Sequence, residues 1–526
     1  MKKIKRLLCL NLCVFSLVSV ASCSDDSSSG ITSATSWSDD SSGNVTSEIE
    51  DSTSGSISSV IPVINVSDFS FDKGDSIDVL DYVSVTDDVD ANLAESLTIT
   101  ADAGVAVEDH YISCQESGEY QVNFSVVDSD GNAAAKSIEV TVYSPYNVFA
   151  VNATMPPLFS LSTLVSDDTP SLVWLERTGT FDFDNLPANV VASWEANQSD
   201  ATLCASTFTL LLEKVKEIGD ADAYSRFTLY RDDVRADLDL YMFLSQGISE
   251  DRYQVKMVPD GAWSYNSAVS SYIGEDTYDT FIANKNTYLD LVEDAREGKL
   301  NVSDAIYNGA TYSKSTIAMA QRSNFEYLLQ YPEYISSKDE RVQAEIDLAN
   351  ITEAKPDVMY NSLSEAQKEQ FRTILSLDKD VYDSTYFTAT DERPYLIITG
   401  TNPVIGSLTN EQFENVIDQI VTKYGDTYNF AFKPHPAALL SSNEVIENYF
   451  AEKNIVELPG RLPMEALTWV YNSYALGGFD SSLYMCVPTG NTKFFICASA
   501  DNLSTVTKNL YDAGLYGDCD FIQPTI

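Results

Sequence analysis

Beyond about residue 146 the chain alternates short apolar runs with helical stretches, and this alternation restricts the fold more than any other feature. "SLVWLE", "RFTLYR", "YQVKMV", "YLIITGT", "NFAFKPHP", "YALGGF" and "TKFFICA" read as strands, whereas "STFTLLLEKVKEIG" and "NEQFENVIDQIVTKYG" read as helices. Strand then helix, repeated, predicts parallel sheets covered by helices, because each parallel crossover must carry the chain back to the same end. A largely helical stretch, about 275 to 385, divides the runs into two sets. The expected α/β part is two Rossmann-like domains facing a cleft. These span 146–392, with a helical linker, and 393–526. Ligands would bind at the carboxyl ends of the strands.

Residues 60–145 have a different texture. They alternate with period two and are punctuated by turns, the pattern of half-buried strands. In "GEYQVNFSVVDSDGNAAAKSIEVTVY" the residues Tyr120, Val122, Phe124 and Val126 share one face. "DSDGN" turns the chain, and Ile138, Val140 and Val142 return. A Gly-x-Tyr-x-Val strand followed by an Asp-x-x-Gly-Asn turn resembles bacterial Ig-like β-sandwich modules, which act as spacers or adhesive units. Asp87, Asp88 and Asp90 read as solvated turn acids rather than a calcium site.

The first residues carry Lys2, Lys3, Lys5 and Arg6, then an apolar core ending in Val20-Ala21-Ser22-Cys23. That core is short for a membrane span and ends in small residues, so it reads as an export signal. Small residues before a cysteine resemble a bacterial lipobox. The resemblance implies cleavage of residues 1–22, acylation of Cys23, and a protein lipid-anchored to a bacterial membrane outside the cytoplasm. Residues 23–59, rich in Ser, Thr, Asp and Gly, bury too little apolar surface to offset chain entropy and read as a disordered tether.

Net charge is −47, from 79 acids against 32 bases. Such a surface repels phosphate backbones, which argues against nucleic acid as a partner, and any anionic ligand needs a local device to hold it. After loss of the signal and use of Cys23, five scattered cysteines remain (Cys114, Cys204, Cys486, Cys497 and Cys519), with no disulfide framework and no CxxC spacing. With two histidines in the chain, a histidine metal site is not expected.

One of those histidines, His435, sits in "FKPHP" at a predicted strand end. Three other motifs follow predicted strands: "PDGAW" with Asp260, "TGT" with Gly400, and "GGFDSSLY" with Ser481 and Ser482 where a helix should start. "LPGRLPMEAL" puts Glu465 in a first helical turn. Each has a plain structural use as a turn, loop, cap or dipole partner. Together they supply a carboxylate base, a protonatable acid, a phosphate site and a ribose-binding acid. Those are the groups needed to move a sugar from a nucleotide onto a hydroxyl without a metal or other cofactor.

The stretch from about 147 to 526 resembles the bacterial sialyltransferases of glycosyltransferase family 80, which have the GT-B fold. The order of "VNATMPPL", "PDGAWSY", "SLSEAQKEQFRTILSLDK", "IITGT", "FKPHP", "LPGRLPMEAL" and "DSSLYMCVP" carries the likeness. Some members are also lipoproteins with an Ig-like domain before the catalytic part. The resemblance implies Asp260 as general base and His435 as the acid or electrostatic support for the departing phosphate. It implies Lys433 and Pro436 as contacts to the donor base, Gly400 in the nucleotide loop, Glu465 on the ribose, and Ser481 and Ser482 on the phosphate. Asn197, in "WEANQSD", matches an asparagine near the sialic acid.

Three positions depart from the pattern. Pro259 replaces the first acid of an Asp-Asp-Gly motif, Pro434 replaces a glycine, and Val404 stands where relatives carry an acceptor-contacting tryptophan. Trp263 offers a substitute stacking face or is simply packed. The implied reaction is inverting transfer of sialic acid from CMP-sialic acid to a glycan hydroxyl, a galactoside above all. Lys433, protonated His435 and the helix start before Leu483 would hold the anion. Two alternatives stand beside it: transfer of another CMP-activated acid sugar, or a surface glycan-binding protein or adhesin without activity.

Overall fold

The structure is a computed structural model and describes residues 60–525, except 153, 177–180, 198–199, 236, 269–272, 275, 302–312, 437, 439 and 488. The signal segment, Cys23 and the tether lie outside the described residues.

Two parallel sheets form the larger part. The first runs, in spatial order, Val190–Glu195, Ser171–Leu175, Ala133–Val151, Ser225–Asp232, Tyr253–Val258, Phe325–Leu329 and Ile351–Glu353. The second runs Val456–Glu457, Asn429–Lys433, Tyr395–Thr399, Ala475–Gly478, Thr492–Phe495 and Asp520–Phe521. Neighbouring strands within both are parallel. In each sheet the chain enters at an interior strand, winds to one edge, then crosses back to build the other side. That reversal opens a crevice beside the entry strand. Because helices cover both faces, the strands are continuously apolar: Tyr395, Leu396, Ile397 and Ile398 are all buried.

The covering helices follow from the spacing of apolar residues. Asn410–Tyr424 buries Phe413, Val416, Ile417 and Ile420, one stripe at intervals of three and four. Thr409 and Gln412 start it with a reciprocal capping box. At the other end of the chain, helix Thr505–Asp512 packs against helix Ala262–Ala268 of the first domain.

The expected helical stretch between the two sets of strands is broken. Helices Tyr278–Arg296, Pro356–Ser362, Glu365–Ile374 and Lys379–Thr385 are present, but Phe325–Leu329 and Ile351–Glu353 extend the first sheet. "FEYLL" is a short apolar run, and periodicity alone does not separate a buried strand of that length from a buried helix.

Residues 63–127 are strand-rich. Strand Gly118–Val127 pairs antiparallel with the first half of Ala133–Val151, with Tyr120 opposite Val140 and Val122 opposite Ile138. The Asp128 carboxylate ties the turn by accepting the Asn132 backbone N–H at 2.7 Å and its amide at 2.8 Å. Val122, Phe124, Val126, Ile138, Val140 and Val142 are buried together. The boundary expected at 145/146 falls inside a strand. Ala133–Val151 is a single run of 19 residues whose second half is the entry strand of the large sheet, pairing with Ser171–Leu175 and Ser225–Asp232. The junction is also tied by Arg226 to Asp72 at 2.6 Å and by the Ser117 hydroxyl to Asp222 at 2.8 Å.

Candidate active site

Asp260 follows strand Tyr253–Val258 and is half-buried at its carboxyl end. Its backbone N–H is held at 2.8 Å by the Ser264 hydroxyl and, more weakly, at 3.3 Å by the Asp233 carboxylate. The chain then turns at Gly261, where φ is +74°, and enters helix Ala262–Ala268. A side chain at Gly261 would be strained by that φ, and its Cβ would lie 2.7 Å from Ser482. Only glycine lets the loop that carries Asp260 approach so closely.

Ser482 comes from the other domain. Its Oγ accepts the Ala262 backbone N–H at 3.0 Å. Three further contacts dock the same segment onto the first domain. The Tyr331 hydroxyl donates to the Met485 carbonyl at 3.0 Å, the Gln330 amide lies 3.1 Å from the Cys486 sulfur, and that sulfur lies 3.5 Å from Met155 Sδ. The structure therefore brings Asp260 and the Ser481–Ser482 pair to one place, where the two sheets meet.

The segment after Ser481 is not the helix expected there. It is a single 3-10 turn, Ser482–Met485, with the exposed Ser481 accepting Leu483 N–H at 3.3 Å. Alanine and glycine precede it in the tight strand Ala475–Gly478, and the chain has space for only one turn before Cys486 is captured by the first domain. One turn sums too few peptide dipoles to supply the positive potential expected from a helix terminus.

On the second sheet, Gly400 leaves the entry strand Tyr395–Thr399 beside its neighbour Ala475–Gly478, at the point where the winding reverses. Its N–H donates to the Lys433 carbonyl at 2.9 Å, and a Cβ there would sit 2.8 Å from the Phe432 ring. Lys433, expected to face the donor, is buried and gives its ammonium to the carbonyls of Pro434 at 2.8 Å and Gly460 at 2.7 Å. Burial pulls it down to about 8, partly countered by Glu465. Burial raises Glu465 in turn, which Lys433 opposes. Glu465 lies in the first turn of helix Met464–Val470, as its spacing implied.

His435 and Pro436 are exposed in the turn after strand Asn429–Lys433, with the His435 carbonyl accepting Ala438 N–H at 2.9 Å. Gly400, Lys433, His435, Pro436 and Glu465 thus form one group at the carboxyl edge of the second sheet. Asn197 stands apart. It is exposed beyond the edge strand Val190–Glu195, four strand positions from Asp260, roughly 19 Å at the usual spacing between strands. Val404 is buried in the core of the second domain and offers no stacking face, whereas Trp263 is exposed one helical position past Ala262.

Sequence reasoning passed over a group of buried charges at the carboxyl end of strand Ser225–Asp232. Arg231, Asp232, Asp233, Arg235, Asp237 and Asp239 are all buried. Arg235 pairs with Glu176, and Arg231 lies 3.2 Å from Asp232. The signal was available: "RDDVRADLD" directly follows a predicted strand, where ligand-facing groups concentrate. Among the described residues there is no cluster of three or more His, Cys, Asp or Glu arranged to hold a metal ion, and no helix long and apolar enough to cross a membrane.

No protein-family description matches the sequence, and no curated protein matches it. Solved structures do. A 2,6-sialyltransferase from a Photobacterium species, solved with CMP and lactose, superposes with a TM-score of 0.55 at 14% identity, over 87% of this chain and 96% of that one. The fold is that of bacterial sialyltransferases. An α/β-galactoside α-2,3-sialyltransferase from Photobacterium phosphoreum gives 0.53 at 15% identity, over 72% of this chain and 98% of that one. A sialyltransferase from Photobacterium damsela gives 0.53 at 18% identity, over 87% and 99%. The GT-B architecture of the two sheets is therefore shared with these proteins, and the wider matches take in the strand-rich module as well.

Proposed function

We propose that this chain is an inverting, metal-independent glycosyltransferase that moves sialic acid from CMP-sialic acid to a glycan hydroxyl, most readily a galactoside. One observation carries the reading: Ser482 meets the Asp260 loop at 3.0 Å across the domain boundary, so a base and a phosphate-binding hydroxyl share one space. In the proposed step, ionised Asp260 takes the acceptor hydroxyl's proton as that oxygen bonds to the anomeric carbon. The bond from that carbon to the phosphate oxygen breaks, and its electron pair leaves with CMP. His435 supports or protonates the leaving phosphate. Ser481 and Ser482 hold its oxygens, and Glu465 takes the ribose. Lys433 contributes charge from behind, through the loop its ammonium braces. Packing of the two domains limits water, which otherwise competes as acceptor.

We read the strand-rich module as an Ig-like spacer and Cys23 as its lipid-bearing anchor, which would hold the transferase outside the cytoplasm. The test is to incubate residues 24–526 with lactose and, separately, CMP-sialic acid and CMP-Kdo. Release of CMP together with sialyl-lactose supports the reading. Transfer from CMP-Kdo alone would reassign the donor, and CMP binding without any product would reassign the protein as a glycan-binding one.

A further inference from the structure

The family pattern has a second acid immediately before the base, and here that position is Pro259, which has neither a carboxylate nor an N–H. A carboxylate nevertheless reaches the base from another strand. Asp233 lies just past strand Ser225–Asp232, next to Tyr253–Val258 in the sheet, and its own N–H bonds the Val258 carbonyl at 2.9 Å. It is 3% exposed. One carboxylate oxygen accepts Asp260 N–H at 3.3 Å, and the other accepts the hydroxyl of buried Tyr327 at 2.5 Å. The Ser264 hydroxyl, which also holds Asp260 N–H, is a further hydrogen-bond partner of Asp233.

We propose that Asp233 is the positioning residue for the base: clamped by Tyr327, its carboxylate fixes the backbone of Asp260 and the Ser264 side chain, and so sets where the Asp260 carboxylate points. This rests on the reading of Asp260 as general base. Donor hydrogen bonds from Tyr327, Ser264 and the Asp260 amide converge on Asp233, an arrangement that suits the ionised form and offsets the burial that pushes it up to about 6. The loop is then held from both sides, by Asp233 and Ser264 at Asp260 and by Ser482 at Ala262. A base displaced by about 1 Å loses on the order of a hundredfold in rate, so such a clamp has a direct kinetic consequence.

The experiment compares Asp233→Asn and Tyr327→Phe, alone and combined with Asp260→Asn, by kcat, KM for the CMP-sugar and CMP affinity. Tyr327→Phe keeps volume and removes one hydroxyl, so it remains informative where Asp233→Asn folds poorly. Each single change should lower kcat about 10- to 100-fold while leaving KM for the donor and CMP affinity within about twofold. In the Asp260→Asn background the further loss should be under about threefold, because residues acting as a unit are not additive. Wild-type kcat in both folded single variants, beside a slow Asp260→Asn, would overturn the positioning role alone. So would the same fold-loss with and without Asp260. Normal kcat in Asp260→Asn would remove the base assignment and this proposal with it.

Discussion

Ser482 of the second domain accepts the backbone N–H of Ala262 in the first, at 3.0 Å. A hydroxyl has one proton to give and two lone pairs. Ser482 can therefore keep this bond while donating to a phosphate oxygen, so in the proposed reaction it would link the leaving group to the loop that carries Asp260. Ser481 has no such tie, since its side chain caps Leu483 within its own turn. Both Ser481→Ala and Ser482→Ala should weaken CMP binding, each by about tenfold or about 1.5 kcal/mol, the scale of a hydrogen bond to a charged group. Only Ser482→Ala should also lower kcat appreciably. Calorimetry with CMP and turnover on lactose measure the two effects, and equal kcat values for the pair would contradict the link.

Trp263 is not packed away: it is 43% exposed, on the first turn after the Asp260 loop, where the proposed acceptor could stack on it. Trp263→Ala should raise acceptor KM about two- to tenfold, as loss of an aromatic face costs about 0.5–1.5 kcal/mol. Donor KM should not move. Initial rates at varied lactose, then at varied CMP-sugar, separate the two.

The shared strand alters what removal of the N-terminal module will do. A chain beginning at residue 146 lacks Ser144 and Pro145, which pair with Ser225 and Arg226 at the start of the large sheet. A chain beginning at Ser144 keeps those rungs and leaves out the buried half formed by Ile138, Val140 and Val142. The Ser144 chain should keep turnover within about threefold of the full protein and melt higher than the chain that starts at 146. Thermal unfolding followed by circular dichroism, with turnover on the same samples, tests this, and identical melting of the two would count against the strand's role.

Much of this was legible in advance, and the exceptions have physical causes. Strands such as Tyr395–Thr399 and Asn429–Lys433 are apolar runs ending in Gly or Pro, so both the elements and the residues at their carboxyl ends could be read directly. The grouping of Gly400, Lys433 and Glu465 followed from strand order. What escaped depended on contacts between segments distant in sequence. Asp233 meets Tyr327 across 94 residues, and Ser482 meets Ala262 across 220. The direction of the Lys433 ammonium was likewise unreadable, because it is set by the carbonyl of Gly460, 27 residues away, together with that of Pro434.

Asp237 gives a pH prediction. It is wholly buried, and burial followed by the nearby Asp239 pushes it up to about 7, with Arg231 opposing and Asp232 adding to the shift. Unfolded, it titrates near 3.9. Its folded value is raised, so its contribution to stability is complete below about pH 4 and is lost as the pH rises through about 7. Asp237→Asn removes the titration. The melting temperature of the variant relative to wild type should therefore climb from about pH 4 to about pH 7 and level off above that, and a difference independent of pH would contradict the assignment.

Chemistry where the Asp260 loop meets the second domain is tested most directly by single-turnover transfer from CMP-sialic acid to lactose by wild type, Asp260→Asn and His435→Ala, with CMP affinity measured on the same preparations. If the two side chains act as proposed, either change should slow transfer by roughly 10²–10⁴-fold, the range of general acid–base catalysis, while CMP affinity in Asp260→Asn stays within about twofold. Transfer at the wild-type rate by either variant, or a wild type that binds CMP and transfers nothing, would contradict the account.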